Sequence, residues 1–298
     1  MKKILITGGA GYIGSHTAVE LWNAGLEPII LDDFSNSQEE VLDRLEEITG
    51  KRFACYLGDC NHRALLDQIA QEHQLAGVIH FAAFKAVGES TQQPLAYYKN
   101  NLGSLLVLLE FMQEKGIQNI VFSSSCTVYG QPDVLPVTEA TPRKDAESPY
   151  GNTKKIGEDI LVDYVKSKPG IRVVALRYFN PVGAHPSAKI GELPMGTPQN
   201  LVPFITQTAA GIRQKLTVFG NDYDTVDGTA NNTVTDRIAT AKAEAVAKAE
   251  AELTIEELER VAGDLALQTE LDAEEARATA AEDANTAAIV AEQSARIA

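Results

Sequence analysis

The stretch that most constrains this chain runs from Lys3 to Gly14, KILITGGAGYIG. A β-branched apolar run stops at glycines, and a helical pattern opens at Ser15. Unpaired N–H groups and the positive end of the helix dipole meet at a helix N-terminus, so a strand, a glycine turn and a helix in this order favour a bound diphosphate. Glycine lets the backbone turn tightly and approach the phosphates closely. The spacing of Gly8, Gly11 and Gly14 indicates a dinucleotide-binding turn, although glycine-rich turns also arise for geometric reasons alone.

An acid follows the second predicted strand. The strand 28–31 runs into Asp32, which lies eighteen positions after Gly14. A carboxylate at this place can accept hydrogen bonds from the adenosine ribose and repels a 2′-phosphate. The sequence therefore predicts NAD rather than NADP as the cofactor, and the alternative is an ordinary acid in a turn that ends a strand.

Composition excludes several classes of function. The formal net charge of −15 argues against a nucleic-acid partner or an anionic membrane surface. No apolar run has the length of a membrane span, and the three cysteines form no C-x-x-C pair, so we expect a reduced, cytoplasmic protein. The five histidines lack the spacing of metal ligands, and we expect no metal site.

Apolar strands alternate with amphipathic helices through most of the chain, which predicts an α/β fold with a doubly wound parallel sheet of the Rossmann type. The predicted strands are 4–7, 28–31, 53–57, 77–83, 119–125, 172–178 and 216–219. The helices are predicted to start at 15 and to span 37–48, 61–73, 94–115, 148–167 and 200–214, with Ser37 and Asn61 as the N-caps of the second and third helices. Residues 180–197 are rich in proline and glycine and predict a long binding loop.

Tyr150 and Lys154 lie four positions apart on one predicted helix face, and Ser125 ends the strand that precedes this helix. Strand C-termini and the helix N-termini that follow them line one crevice of a parallel sheet. A tyrosine there serves as general acid and base if its pKa is lowered, and a nearby ammonium and an oxidised nicotinamide both favour the phenolate. The alternative is a common i,i+4 pair on a surface helix.

Five segments carry a close resemblance to a known family: TGGAGYIGSH, HFAAFKAVGES, SSSCTVYG, SPYGNTK and RYFNPVGAHPS. They resemble the bacterial UDP-glucose 4-epimerases of the extended short-chain dehydrogenase/reductase family. The resemblance is nearly continuous from Met1 to about Gly228. It implies a reaction in which a UDP-hexose substrate is inverted at sugar C4 through a 4-keto intermediate while NAD stays bound.

The resemblance also implies roles for individual residues. Tyr150 is then the base, Lys154 tunes it and holds the nicotinamide ribose, and Ser125 positions the sugar hydroxyl. Cofactor contacts, several of them through the backbone, are implied for Gly8, Gly11, Tyr12, Ile13, Gly14, Asp32, Asn36, Asp59, Cys60, Phe81, Lys85, Asn100, Tyr150, Lys154 and Phe179. Besides Ser125 and Tyr150, contacts to the nucleotide-sugar are implied for Asn180, Asn200 and Phe219, and the alternative for the two asparagines is simple loop capping.

The resemblance stops at Ala230. Residues 231–298 hold 20 alanines and no aromatic residue or proline, and they predict a long helical tail. Leu258, Val261 and Leu265 give the tail a weak 3–4 spacing, so a coiled coil and a solvated charged helix are both open. We therefore divide the chain into an NAD-binding domain (1–179), an incomplete substrate-binding region (180–229) and the tail (230–298).

Three functions remain open at this point. The first is a UDP-glucose 4-epimerase, a homo-oligomer by expectation. The second is a related nucleotide-sugar dehydratase, although that chemistry usually needs an acid after the catalytic serine, where this chain has Cys126 and Thr127. The third is a catalytically impaired epimerase-like domain fused to a coiled-coil segment, whose composition weakly resembles phage structural proteins.

Overall fold

The computed structural model describes residues 1–198 and 200–216, and its sheet has six strands that all pair in parallel. The strands are β1 (Lys2–Thr7), β2 (Leu26–Asp32), β3 (Ala54–Leu57), β4 (Leu75–His80), β5 (Asn119–Ser125) and β6 (Arg172–Tyr178). Their order across the sheet is β3-β2-β1-β4-β5-β6. This is the doubly wound order, so the predicted fold class is confirmed.

Helices connect successive strands and cover both faces of the sheet. They are α1 (Tyr12–Asn23), α2 (Glu40–Thr49), α3 (Arg63–Glu72), α4 (Val87–Gln92), α5 (Pro94–Lys115), α6 (Pro149–Ser167) and α7 (Leu201–Ala209). One apolar cluster lies between the sheet and α3, α5 and α6, and a second lies between the sheet and α1 and α2. Both faces of the central strands are therefore buried, which explains their unbroken apolar sequences.

The boundaries of α5 and α6 follow from local signals. Helix α5 starts with Pro94, whose missing N–H costs nothing in the first turn, and it ends at Gly116 in the left-handed region (φ 69°). Helix α6 is capped by Ser148, whose hydroxyl accepts a hydrogen bond from the Gly151 N–H at 3.1 Å. The predicted bounds of these two helices and of strands β5 and β6 are confirmed.

The structure differs from the sequence prediction at other boundaries. Helix α2 starts at Glu40 without a side-chain cap, because the Ser37 hydroxyl donates to Asp32 Oδ1 at 2.8 Å instead. Helix α3 is not capped by Asn61, whose amide donates to Asp59 Oδ1 at 2.9 Å. A nearby carboxylate competes with the helix N-terminus in both cases.

Other bounds also differ from the prediction, and helix α1 starts at Tyr12 rather than at residue 15. Strand β4 ends at His80 rather than at residue 83, and the short helix α4 was not predicted. Helix α7 ends before Gly211, which adopts φ 72°. Most of the predicted strand 216–219 lies outside the described residues, as does the entire predicted tail with its coiled coil.

Candidate active site

The glycine turn between β1 and α1 is a close approach of backbone to backbone. Gly8 adopts φ 69°, and a Cβ there would lie 2.8 Å from the amide nitrogen of Ala82. A Cβ on Gly14 would collide with the Gly8 carbonyl oxygen. Only glycine fits at these two positions, because every other residue adds the atom that the neighbouring backbone excludes.

The N-terminus of α1 is open toward this turn. Its N-cap is Gly11, which offers no capping side chain, and the first turn, which starts at Tyr12 and Ile13, contains no acidic residue. The first N–H groups of the helix therefore have no side-chain acceptor, and the dipole is not neutralised. This is the arrangement that accommodates a diphosphate.

Asp32 ties the glycine turn to the end of β2. Its buried carboxylate accepts hydrogen bonds from the Ala10 N–H at 2.9 Å, the Phe34 N–H at 3.0 Å and the Ser37 hydroxyl at 2.8 Å. Phe34 is held at φ 54°, a value that bulky residues rarely adopt. The predicted ribose-binding acid thus also fixes the backbone on both sides of its own site.

The segments that follow β2, β3 and β4 bring further predicted cofactor residues to the same edge of the sheet. Asn36 and Asp59 are exposed, and Asp59 accepts from the Asn61 N–H at 2.8 Å. Cys60 is buried, and burial raises the pKa of its thiol to about 12, so its contribution to a site is that of a neutral thiol and its backbone. Phe81 donates its N–H to the Thr7 carbonyl at 3.0 Å.

Lys85 lies in the segment after β4, and Asn100 lies in the second turn of α5. Lys85 is exposed, and its ammonium lies 3.9 Å from a Glu192 carboxylate oxygen. Asn100 donates from Nδ2 to the side-chain oxygen of the adjacent Asn101 at 3.1 Å. Asn100 itself is half-buried and also accepts a hydrogen bond from Asn61 Nδ2 at 3.5 Å.

Ser125, Tyr150 and Lys154 are brought together by β5 and α6. Ser125 is the last residue of β5, and its Oγ accepts a hydrogen bond from the Thr127 N–H at 3.2 Å. Tyr150 lies in the first turn of α6, and Lys154 follows one turn later with its ammonium 5.9 Å from the centre of the Tyr150 ring. Lys154 is 4% exposed and donates to the Ser123 carbonyl at 2.8 Å.

Burial controls the ionisation of this group. Burial lowers the pKa of Lys154 to about 8. Burial also raises the pKa of Tyr150; a hydrogen bond with Ser125 acts to lower that pKa, and the neighbouring Cys126 acts to raise it further. The expected lowering of the Tyr150 pKa by Lys154 is therefore not the dominant effect in the protein alone. Tyr150 is therefore a neutral phenol here, and a positive charge placed next to it would lower its pKa.

Three buried polar residues support the site, and no pattern in the sequence identifies their partners. Asn101 donates from Nδ2 to the Phe84 carbonyl at 3.0 Å and to Thr153 Oγ1 at 3.1 Å. The other two are Glu158, which accepts from Ser124 Oγ at 2.5 Å, and His80, whose Nδ1 lies 2.7 Å from Thr7 Oγ1. Of the three, only His80 interrupts an apolar run, which suggests its burial but does not name its partner.

Phe179, which is predicted to contact the cofactor, and the predicted substrate residues Asn180, Asn200 and Phe219 lie at the end of β6 and beyond it. Phe179 and Asn180 are exposed next to the C-terminal end of β6. Asn200 occupies the N-cap position of α7 but makes no capping bond, because its amide donates to Glu192. Phe219 lies outside the described residues.

Residues 180–198 fold back over α1 and α2. The Tyr12 hydroxyl donates to the Gly183 carbonyl at 2.8 Å, and Ile190 is buried in the cluster beneath. Arg44 donates to the Lys189 carbonyl at 3.3 Å. The predicted binding loop thus crosses the first turn of α1, at the edge where the cofactor residues lie.

Residues 1–198 and 200–216 contain no grouping of three or more histidine, cysteine, aspartate or glutamate side chains that would hold a metal ion. Over the same residues, no helix combines the length and apolar character of a membrane span.

Comparisons with known proteins show which family this chain resembles. A family model described as GDP-mannose 4,6 dehydratase matches residues 5–296. The UDP-glucose 4-epimerase of Haemophilus influenzae is 53% identical over 226 residues, which cover 76% of this chain and 67% of that protein. The UDP-glucose 4-epimerase of Bacillus subtilis is also 53% identical over 226 residues, 76% of this chain and 66% of that protein.

Solved structures give the same relation. The crystal structure of UDP-glucose 4-epimerase from Bifidobacterium longum in complex with NAD+ and UDP superposes with a TM-score of 0.74 at 48% identity, over 76% of this chain and 68% of that one. The enzyme from Brucella ovis in complex with NAD gives a TM-score of 0.69 at 38% identity, over 76% and 67%. This chain spans about two thirds of the length of these relatives. It belongs to the extended short-chain dehydrogenase/reductase family that the GDP-mannose 4,6 dehydratase model describes, and its close relatives there are UDP-glucose 4-epimerases.

Proposed function

We propose that this chain binds NAD and interconverts UDP-glucose and UDP-galactose by inverting sugar C4. The observation that carries the proposal is the gathering of Ser125, Tyr150 and Lys154 at the sheet edge that also bears the glycine turn. Its relatives at 53% identity are named UDP-glucose 4-epimerases. NAD-bound solved structures of the same family support the cofactor.

The residues present fit NAD. The tight glycine turn, in which a Cβ on Gly8 or Gly14 would collide with neighbouring backbone, and the uncapped first turn of α1 together suit the diphosphate. Asp32 suits the adenosine ribose, and Lys154 the nicotinamide ribose. Bound NAD supplies reversible acceptance of a hydride from the sugar carbon, and the chain's residues supply placement and proton control.

In the proposed mechanism Tyr150 takes the proton from the 4-hydroxyl of the sugar as C4 is oxidised to a ketone. Ser125 holds the same oxygen in line with Tyr150, and Lys154 stabilises the phenolate before the proton arrives. The 4-keto sugar then turns over in the pocket while UDP stays bound through Asn180, Asn200 and Phe219. Tyr150 returns the proton after C4 is reduced on its opposite face, so the reaction is balanced over each cycle.

The test is a conversion assay on the purified full chain. The protein should release NAD on denaturation and convert UDP-galactose to UDP-glucose, as followed by the anomeric proton signals in NMR. Tyr150→Phe should retain NAD and lose turnover by at least about a hundredfold, because general acid–base catalysis contributes 10²–10⁴-fold. Full activity in Tyr150→Phe would contradict the assignment of the base.

A catalytically impaired epimerase-like protein is the second candidate. The observation that favours it is that the chain spans about two thirds of the length of its relatives, and transition-state stabilisation depends on how the remote part of a substrate is anchored. Bound NAD without conversion would support this candidate. A 4-keto-6-deoxy sugar product would instead support a dehydratase.

We also propose the division into an NAD-binding domain at 1–179, a substrate-binding region at 180–229 and a tail at 230–298, and a cytoplasmic homo-oligomer with a coiled-coil tail. The net charge of −15 supports a protein without nucleic-acid or membrane partners. Sedimentation of the full chain and of a version ending at residue 229 tests the oligomer and the part that the tail plays in it, and monomers in both cases would contradict the oligomer.

A further inference from the structure

Lys154 carries a positive charge in a place where charge is costly. Its side chain is 4% exposed, and its ammonium donates to the Ser123 carbonyl at 2.8 Å. Among the described residues, no carboxylate forms an ion pair with it. An ammonium has three N–H donors and is expensive to bury without compensation, so something besides one carbonyl has to stabilise it.

The face of the Phe122 ring is the surface that meets this ammonium. Lys154 Nζ lies 5.1 Å from the centre of the ring, within the distance at which an aromatic face attracts a cation. Phe122 is 2% exposed, so water does not screen the contact. The same ring stacks with His80 at 6.1 Å between ring centres, and burial lowers the pKa of His80 to about 3, so His80 is neutral and does not compete for the ring as a cation.

Gly157 sets the distance between the helix and the ring. A Cβ at Gly157 would lie 2.8 Å from Cζ and 3.3 Å from Cε1 of Phe122. Glycine is disfavoured in the interior of a helix, yet here it lets α6 rest directly on the edge of the ring. Lys154 precedes Gly157 by three positions and so lies on the same side of α6.

We propose that Phe122 is a positioning residue, whose ring face keeps the Lys154 ammonium charged and in place beside Tyr150, with Gly157 providing the room. The importance of Lys154 rests on the proposed function, but the contact itself can be tested without turnover. The groups that face Lys154 are Tyr150 from α6, His80 from β4, and Phe122 and the Ser123 carbonyl from β5.

The experiment is an NMR titration of the full chain with isotope-labelled lysine ε-carbons, in which loss of one signal in Lys154→Met identifies Lys154. Phe122→Leu keeps an apolar side chain and removes the aromatic face. The titration midpoint of Lys154 should fall by roughly one pH unit in this variant, about a tenfold change in the ionisation constant. Phe53→Leu is the matched control, because Phe53 is a buried phenylalanine of the other apolar cluster, and it should leave the midpoint unchanged.

A second variant keeps the proposal testable if Phe122→Leu does not fold. Incorporation of 3,5-difluorophenylalanine at position 122 preserves the ring and weakens its negative face, and it should move the midpoint in the same direction by a smaller amount. An unchanged midpoint in either folded variant, or an equal shift in Phe53→Leu, would overturn the proposal. Absence of epimerase activity in the unaltered chain would overturn the proposed function but not this result, because the titration needs no substrate.

Discussion

At the scale of single residues, Lys154 and Tyr150 share one property: burial moves both toward their neutral forms. The pKa of Lys154 falls to about 8, and that of Tyr150 rises. A cationic nicotinamide ring would act on this pair from outside and favour the phenolate. The cofactor would then take part in acid–base catalysis, because Tyr150 ionises less readily in the protein without it.

Replacing Lys154 by methionine should stabilise the cofactor-free protein at pH 7. The folded-state pKa of about 8 lies below the ordinary value of 10.5, so the folded state binds fewer protons between these values and its stability rises with pH through that window. At pH 7 the full penalty is present, and its removal is worth up to about 3 kcal/mol. Urea unfolding at pH 7 and pH 10 measures the difference, which should shrink at the higher pH. A less stable variant at pH 7 would contradict this reasoning.

His80 should make the fold sensitive to acid. Its folded-state pKa of about 3 lies below the ordinary 6.5, so stability is lost as the pH falls through this interval, by about 1.4 kcal/mol per pH unit for one proton. His80→Gln keeps hydrogen-bonding capacity toward Thr7 and removes the titration. The unfolding midpoints measured at pH 6, 5 and 4 should then fall less steeply with pH in the variant. An equally steep fall in both proteins would show that other groups cause the loss of stability in acid.

At the scale of elements, the structure separates what local sequence encodes from what it does not. The ends of α5 and α6 were predictable because Pro94, Gly116 and Ser148 act on their own helix. The starts of α2 and α3 were not, because Ser37 and Asn61 bind carboxylates whose positions depend on neighbouring strand ends. Phe122 and Glu158 look like ordinary strand and helix residues for the same reason, since their partners lie on other elements.

The glycine turn gives a prediction at this scale. Gly14→Ala places a Cβ against the Gly8 carbonyl, and since that backbone is fixed by the sheet, the variant should lose more than about 2 kcal/mol of stability and its NAD. Gly88→Ala is the control, because nothing lies within 4 Å of its Cβ position and α4 gains a better helix former. Thermal unfolding with and without NAD compares the two. Equal stability of the two variants would mean that the turn relaxes around the added methyl group.

At the scale of the whole molecule, Glu158 joins three elements behind the active site. It accepts from Ser124 on β5 and from two nitrogens of Arg177 on β6, at 2.9 and 2.8 Å, while it stands on α6 itself. Burial alone would raise its pKa, but the hydrogen bonds from Arg177 and Ser124 outweigh burial and lower it. These bonds thereby fix the position of the strand end that carries Ser125 relative to the helix that carries Tyr150.

Two adjacent acids that share Arg143 test this role. The side chain of Glu158 is 6% exposed, and that of Asp159 is 51% exposed. Glu158→Gln removes the charge that the half-buried Arg177 pairs with and should cost about 2 kcal/mol in unfolding free energy, with loss of turnover. Asp159→Asn should cost less than about 1 kcal/mol and keep NAD binding. Similar costs for both variants would show that the buried network does not hold the site together.

The order of the strands was predictable at this scale, since alternating strands and helices leave few ways to build a parallel sheet. The glycine turn, Asp32 and the pair of Tyr150 and Lys154 were predictable as well, because strand ends in such a sheet converge on one edge. The bond between Asn200 and Glu192 was not, because it depends on how residues 180–198 fold back, and no short-range pattern encodes that path.

That return path has a kinetic consequence. The hydrogen bond from the Tyr12 hydroxyl to the Gly183 carbonyl spans 171 positions and joins residues 180–198 to the first turn of α1, where we expect the diphosphate to bind. We expect a bound dinucleotide to dissociate only after this hydrogen bond opens. Its dissociation rate would then depend on how often the bond opens, rather than on the strength of the contacts to the diphosphate. The Tyr12→Phe variant should therefore exchange radiolabelled NAD faster than the unaltered chain, while its affinity for NAD changes little. Identical exchange rates would mean that NAD dissociates without the opening of this hydrogen bond.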